Sequence, residues 1–137
     1  MITAVNWLAV LVASVINMAL GMLWYGPLFG KQWIAMMGFT KQKMDAAKKK
    51  GMAEQMVFAF ISALVMNYVL AIFVGAVQAT TAWSGALLGF WVWLGFVATV
   101  MLGSVLWEGR HMKLYAINVL HYLVLFMING ALLAVWM

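Results

Sequence analysis

Met56–Gln78 reads MVFAFISALVMNYVLAIFVGAVQ, a run without a single charged side chain. A helix rises 1.5 Å per residue, so this run covers a bilayer's hydrocarbon core, which takes about 20 residues. Strands of a membrane barrel would show short segments alternating between apolar and polar; this run is continuous.

Three further runs of the same kind flank it, at residues 5–24, 83–107 and 114–136. The chain of 137 residues is 68% hydrophobic and 8% charged, too little polar surface for a soluble domain of that length. Its charges fall in two blocks, Lys31 to Glu54 and Glu108 to Lys113. The expected architecture is an all-α integral membrane four-helix bundle, a single membrane domain over residues 1–137 with a basic loop at 27–53. The first run is read as a retained helix, not a signal peptide, because no basic segment precedes it and its far end is large and aromatic.

The turns set a direction. Residues 27–53 carry six lysines, the third turn holds Arg110 and Lys113, and the second, Gln78–Trp83, is uncharged. Lysine and arginine mark the cytoplasmic side, so both termini are expected outside, in a bacterial inner membrane. Tryptophan agrees: Trp7, Trp83 and Trp136 fall at the outer ends, Trp24, Trp33 and Trp107 at the inner ends. Trp91 and Trp93 lie deeper, as helix contacts or lipid-facing rings. Trp24, Tyr25, Pro27, Trp33 and Trp107 are read as boundary anchors, with Pro27 ending the first helix and Gly26 and Gly30 letting the chain turn.

The stretch NWLAVLVASVINMALGMLWYGPLFGKQWIAMMGFT, followed later by WEGRHMKLYAINVLHY, resembles a small bacterial membrane family, domain of unknown function 1761. The resemblance rests on Gly21, Trp24, Tyr25, Gly26, Pro27, Gly30, Lys31 and Trp33, then Glu108, Gly109, Arg110, Leu114, Ile117 and Asn118. It implies a short four-helix membrane protein and brings no catalytic residues. The halves also echo one another: GSVLWEG (103–109) resembles GMLWYG (21–26), and Asn67-Tyr68 resembles His121-Tyr122. That echo suggests two helix pairs in parallel orientation.

In lipid, helices associate through small residues and interhelical hydrogen bonds. Ala59, Ala63, Asn67, Ala71 and Gly75 recur every fourth residue and form the clearest packing face. Gly85 with Gly89, and Gly95 with Thr99 and Gly103, supply others. Asn6, Ala13, Asn17 and Trp24 share a face of the first run, and His111, Asn118, Tyr122 and Asn129 align on the fourth. Counting depth from the ends of each run predicts that Asn17, Asn67, Thr99 and His121 converge near midplane, with Asn118 and Tyr122 extending the row inward and Asn129 outward. His121 is the ionisable group expected well inside a helix; its readings are helix glue or a ligand and proton site. At the inner surface Glu108, Arg110, His111 and Lys31 form a candidate interface, read as a charged turn with Glu108 paired to Arg110 or Lys31, or as a lipid-phosphate seat or pathway mouth.

The chain has no cysteine, one Asp and two Glu, which excludes disulfides and thiolate sites and leaves no paired carboxylates or Ser-His-Asp set. No cofactor, metal or catalytic residue is expected, and nucleic acid is disfavoured because the basic loop has no interleaved aromatics. The expected partners are the bilayer itself, anionic headgroups beside the lysine loop, and a second copy or another membrane protein. The first reading is a non-enzymatic oligomeric or accessory membrane subunit; the alternative is a small-solute or proton-linked transporter.

Overall fold

A computed structural model describes residues 5–38 and 40–136, with the side chain of Lys48 outside the described set. Six helices, and no strand among the described residues, follow in order: α1 (Trp7–Leu28), α2 (Gly30–Met37), α3 (Lys41–Lys50), α4 (Ala53–Ala76), α5 (Ala82–Leu106) and α6 (Met112–Val135). Helices α1, α4, α5 and α6 are each long and apolar enough to cross a membrane. This is an all-α membrane bundle.

Local chemistry starts the spans where the sequence changes character. The Asn6 side chain accepts from the backbone N–H groups of Leu8 and Ala9, capping α1. Thr81 and Ser84 cap one another reciprocally at the start of α5. At α6 the cap is His111, whose Nδ1 accepts from Lys113 N–H at 3.0 Å. In the basic loop, Thr40 Oγ1 accepts from Lys43 N–H and Gly51 follows α3 at φ +83°, a left-handed stop that favours glycine.

Pro27 does not end α1, contrary to expectation. The helix runs through it by widening into a π turn, Trp24–Leu28, closed by Phe29 N–H on the Trp24 carbonyl at 2.9 Å. The wider turn accommodates a proline ring and its missing donor, which an α turn does not. Gly30 is needed for close approach instead of a sharp turn: a Cβ there would sit 2.8 Å from the Tyr25 carbonyl oxygen. Gly26 faces open space. A second π turn, Leu94–Ala98, interrupts α5.

Helix α6 is the centre of the molecule. It packs along most of its length against α5 on one side and against α1 and α4 on the other, whereas α4 and α5 barely meet. The echo between the two halves therefore does not extend to a two-fold packing. The α5–α6 seam is the tightest. A Cβ on Gly85 would fall on the Gly130 carbonyl and 2.6 Å from Ala134 Cβ, and one on Gly89 would fall on the Phe126 carbonyl. Backbone meets backbone there because all bulk has been removed from the crossing.

The remaining small-residue expectations divide. Ala63 and Ala71 are buried and Gly75 is half-buried, but Ala59 is exposed at the end of α4. Gly95 and Thr99 lie exposed on α5, and Gly103 is half-buried. At 100° per residue Gly95 falls about 120° round α5 from Gly89, so the face carrying Gly85 and Gly89 is not the face carrying Gly95.

Candidate functional site

Three asparagines from three helices meet in the core between α1, α4 and α6. Asn129 Nδ2 donates to Asn17 Oδ1 at 2.7 Å and to Asn67 Oδ1 at 3.0 Å. Asn67 Nδ2 donates in turn to Asn17 Oδ1 (3.2 Å) and to Ser14 Oγ (3.3 Å). Ser14 Oγ spends its own proton on the Val10 carbonyl at 2.8 Å. Ser14, Asn67 and Asn129 are fully buried. With water excluded, each of these bonds replaces an unpaired polar group in an apolar medium, so the cluster favours one mutual placement of the three helices.

Further along the same seam, the π turn of α1 lies on α6. Trp24 Nε1 donates to the Ile117 carbonyl and the Tyr25 hydroxyl donates to Asn118 Oδ1, both at 2.9 Å. At the far end Asn6 Nδ2 donates to the Trp136 carbonyl at 2.9 Å. Together with Asn17–Asn129 these pairs describe an antiparallel register that holds α1 to α6 from end to end. Trp24 and Tyr25 are therefore half-buried helix contacts, where simple interfacial anchors were expected.

His121 sits beneath that turn, not at the midplane cluster. Its ring is 5.2 Å from Tyr25, 5.9 Å from Trp24 and 4.9 Å from Tyr122, centroid to centroid. It is 6% exposed, and neither ring nitrogen has a hydrogen-bond partner. An unpaired buried imidazole is costly, roughly 1–3 kcal/mol, and the three rings pack round it at tilted to edge-on angles of 55°, 59° and 66°.

A protein-family model, protein of unknown function DUF1761, matches residues 8–134. The chain belongs to the DUF1761 family. No curated protein and no solved structure matches it. The matched span includes all but the first residue of α1 and the last of α6 among the four long helices, and every residue of the asparagine cluster and the aromatic cage.

In this DUF1761 chain, Thr99 takes no part in the polar core. Its hydroxyl donates to the Gly95 carbonyl of its own helix at 2.7 Å. Asn129, expected outward of the cluster, replaces His121 in it. Glu108, Arg110, His111 and Lys31 are all exposed, and among the described residues no ion pair joins Glu108 to Arg110 or Lys31. The turn is closed by backbone instead, Arg110 N–H donating to the Ser104 carbonyl at 3.0 Å after Gly109 at φ +68°. Trp107 is exposed, while Trp33 is half-buried and its ring lies 5.1 Å from that of Tyr25.

Three contributors were not legible as such. Ser14 is one hydroxyl among apolar residues, and its place one turn before Asn17 was the available signal. Gly130 lies four residues before Ala134, the spacing that also separates Gly85 from Gly89, and that was its available signal. Trp93 donates Nε1 to the Val119 carbonyl at 2.7 Å, whereas Trp91 is 59% exposed; the two deep indoles thus take one reading each.

Two grooves flank α5. One, about 260 Å³, runs between α4 and α5 over Phe126 and is lined by Met66, Val69, Leu70, Phe73, Val92 and Phe96. The other, about 460 Å³, opens at the end of α5 beside Glu108 and Asn118. Among the described residues no group of three or more His, Cys, Asp or Glu stands together as a metal site.

Proposed function

We propose that this protein is a non-enzymatic subunit of a membrane assembly, built to hold helices in a fixed arrangement. One observation carries the reading: Asn67 and Asn129 lie wholly inside the bundle, and their NH₂ groups are spent on Ser14, Asn17 and Asn67. A polar cluster used for binding would open on a cavity; Asn129 Oδ1 is buried without a partner, but neither groove beside α5 is lined by Asn17, Asn67 or Asn129.

The assembly is a homo-oligomer or includes another membrane protein. Gly95 and Thr99, one helical turn apart on the exposed side of α5, leave a small-residue face beside the bulky Phe96 and Val100. In lipid such faces let a second helix approach closely. The lysine-bearing end faces the cytoplasm of an inner membrane and both termini face outward, as the distribution of lysine and arginine supports. The exposed lysines of α3 lie against anionic headgroups, each contributing about 1 kcal/mol. Size measurement in detergent tests the oligomer: wild type runs as a multimer, and Gly95→Leu shifts it toward monomer. A monomeric wild type, with no copurifying membrane partner, contradicts the proposal.

His121 favours a second reading, a small-solute or proton-linked carrier, because both its nitrogens are unpaired. In proteoliposomes containing a pH-sensitive dye, proton flux that His121→Ala abolishes while the oligomer stays intact would establish the carrier. A change in stability alone leaves the packing role.

A further inference from the structure

The groove at the charged end of α5 has the composition of a zwitterion site. Ser104 and Glu108 line it from the α5 side and Asn118 from α6, with Val100 and Met101 continuing toward the bilayer interior and Trp107 on the rim. Its volume, about 460 Å³, lies within the range of small-ligand sites. Tyr25 donates to Asn118 Oδ1, so the amide is held with its NH₂ group as the donor left for the groove. The Glu108 carboxylate only accepts. The turn beside the groove is closed by the Arg110 backbone N–H, which donates to the Ser104 carbonyl at 3.0 Å.

We propose that this groove binds a phospholipid with a primary-amine headgroup. Glu108 accepts hydrogen bonds from the ammonium, a charge-assisted pairing. The Asn118 amide and the Ser104 hydroxyl supply donors for the phosphodiester. Val100 and Met101 receive the first methylenes of an acyl chain, and the exposed Trp107 indole lies at the level of the ester carbonyls. An anionic headgroup without an amine leaves Glu108 facing negative charge. A trimethylated amine offers the carboxylate no N–H donor. The groove thus selects for an amine, whereas the lysines of α3 select only for negative charge.

The test is native mass spectrometry of the full chain in detergent with equimolar phosphatidylethanolamine, phosphatidylglycerol and phosphatidylcholine of matched acyl chains. Wild type retains phosphatidylethanolamine over each competitor by about tenfold, the scale of one charge-assisted hydrogen bond. Glu108→Gln loses that preference and Glu108→Asp keeps it, with unchanged thermal unfolding because Glu108 is exposed. Water-soluble glycerophosphoethanolamine at the same concentration does not displace the lipid, which separates a lipid site from a site for a free headgroup. Equal retention of the three lipids by wild type, an undiminished preference in Glu108→Gln, or displacement by the soluble headgroup would each overturn the proposal. The wild-type comparison decides even if a variant misfolds.

Discussion

Replacing Asn67 by alanine removes three hydrogen bonds at once: its donations to Ser14 and Asn17 and its acceptance from Asn129. Interhelical bonds in a bilayer average about 0.6 kcal/mol, so the bonds alone are worth about 2 kcal/mol. The lost amide leaves a void at a fully buried position, adding about 1 kcal/mol. The partners limit the damage, because Ser14 keeps Val10 and Asn129 keeps Asn17. We expect Asn67→Ala to lower stability by about 3 kcal/mol in a mixed-micelle SDS titration followed by circular dichroism. Thr99→Ala, whose bond is confined to its own helix, should stay within about 0.5 kcal/mol. A double-mutant cycle with Asn129→Ala should return a coupling of about 0.6 kcal/mol. Equal stability of Asn67→Ala and Thr99→Ala would refute the reasoning, since the polar core would then not join α1, α4 and α6.

Gly89→Ala pushes a methyl into the Phe126 carbonyl and should loosen α5 from α6 by about 1–3 kcal/mol, while Gly95→Ala, which meets open space, should not; the same titration compares them. Trp93→Phe leaves the Val119 carbonyl without its indole donor and should cost about 1 kcal/mol, against no measurable loss for Trp91→Phe. Tyr25→Phe removes the donor to Asn118 and should cost about 0.6 kcal/mol in stability, because the phenyl ring still packs on His121.

The long helices were legible because hydropathy measures the property that selects them, and the structure places their ends within a few residues of the expected bounds. The α4 face of Ala63, Asn67 and Ala71 was equally plain, since spacing by four fixes an azimuth. What spacing does not fix is the height at which two helices meet. Depth counted from span ends matched Asn17 with His121; the α1–α6 register matches Asn17 with Asn129 and sets His121 against Trp24 and Tyr25. Thr99 failed for a different reason: a hydroxyl can satisfy itself on the carbonyl one turn back, so its presence in a span carries no demand for a neighbour. Pro27 misled because the rule against an α turn before proline says nothing of a π turn. The centrality of α6 had no signature in composition, as all four spans are similarly apolar.

The chain contains no cysteine, so single-cysteine variants report one position each. The most direct test labels Lys43→Cys and Thr80→Cys in sealed, oriented vesicles with a membrane-impermeant thiol reagent. Four crossings put the α3 position and the turn between α4 and α5 on opposite faces, so only one of the two should label before the vesicles are opened. Labelling of both from the same side would contradict the transmembrane arrangement.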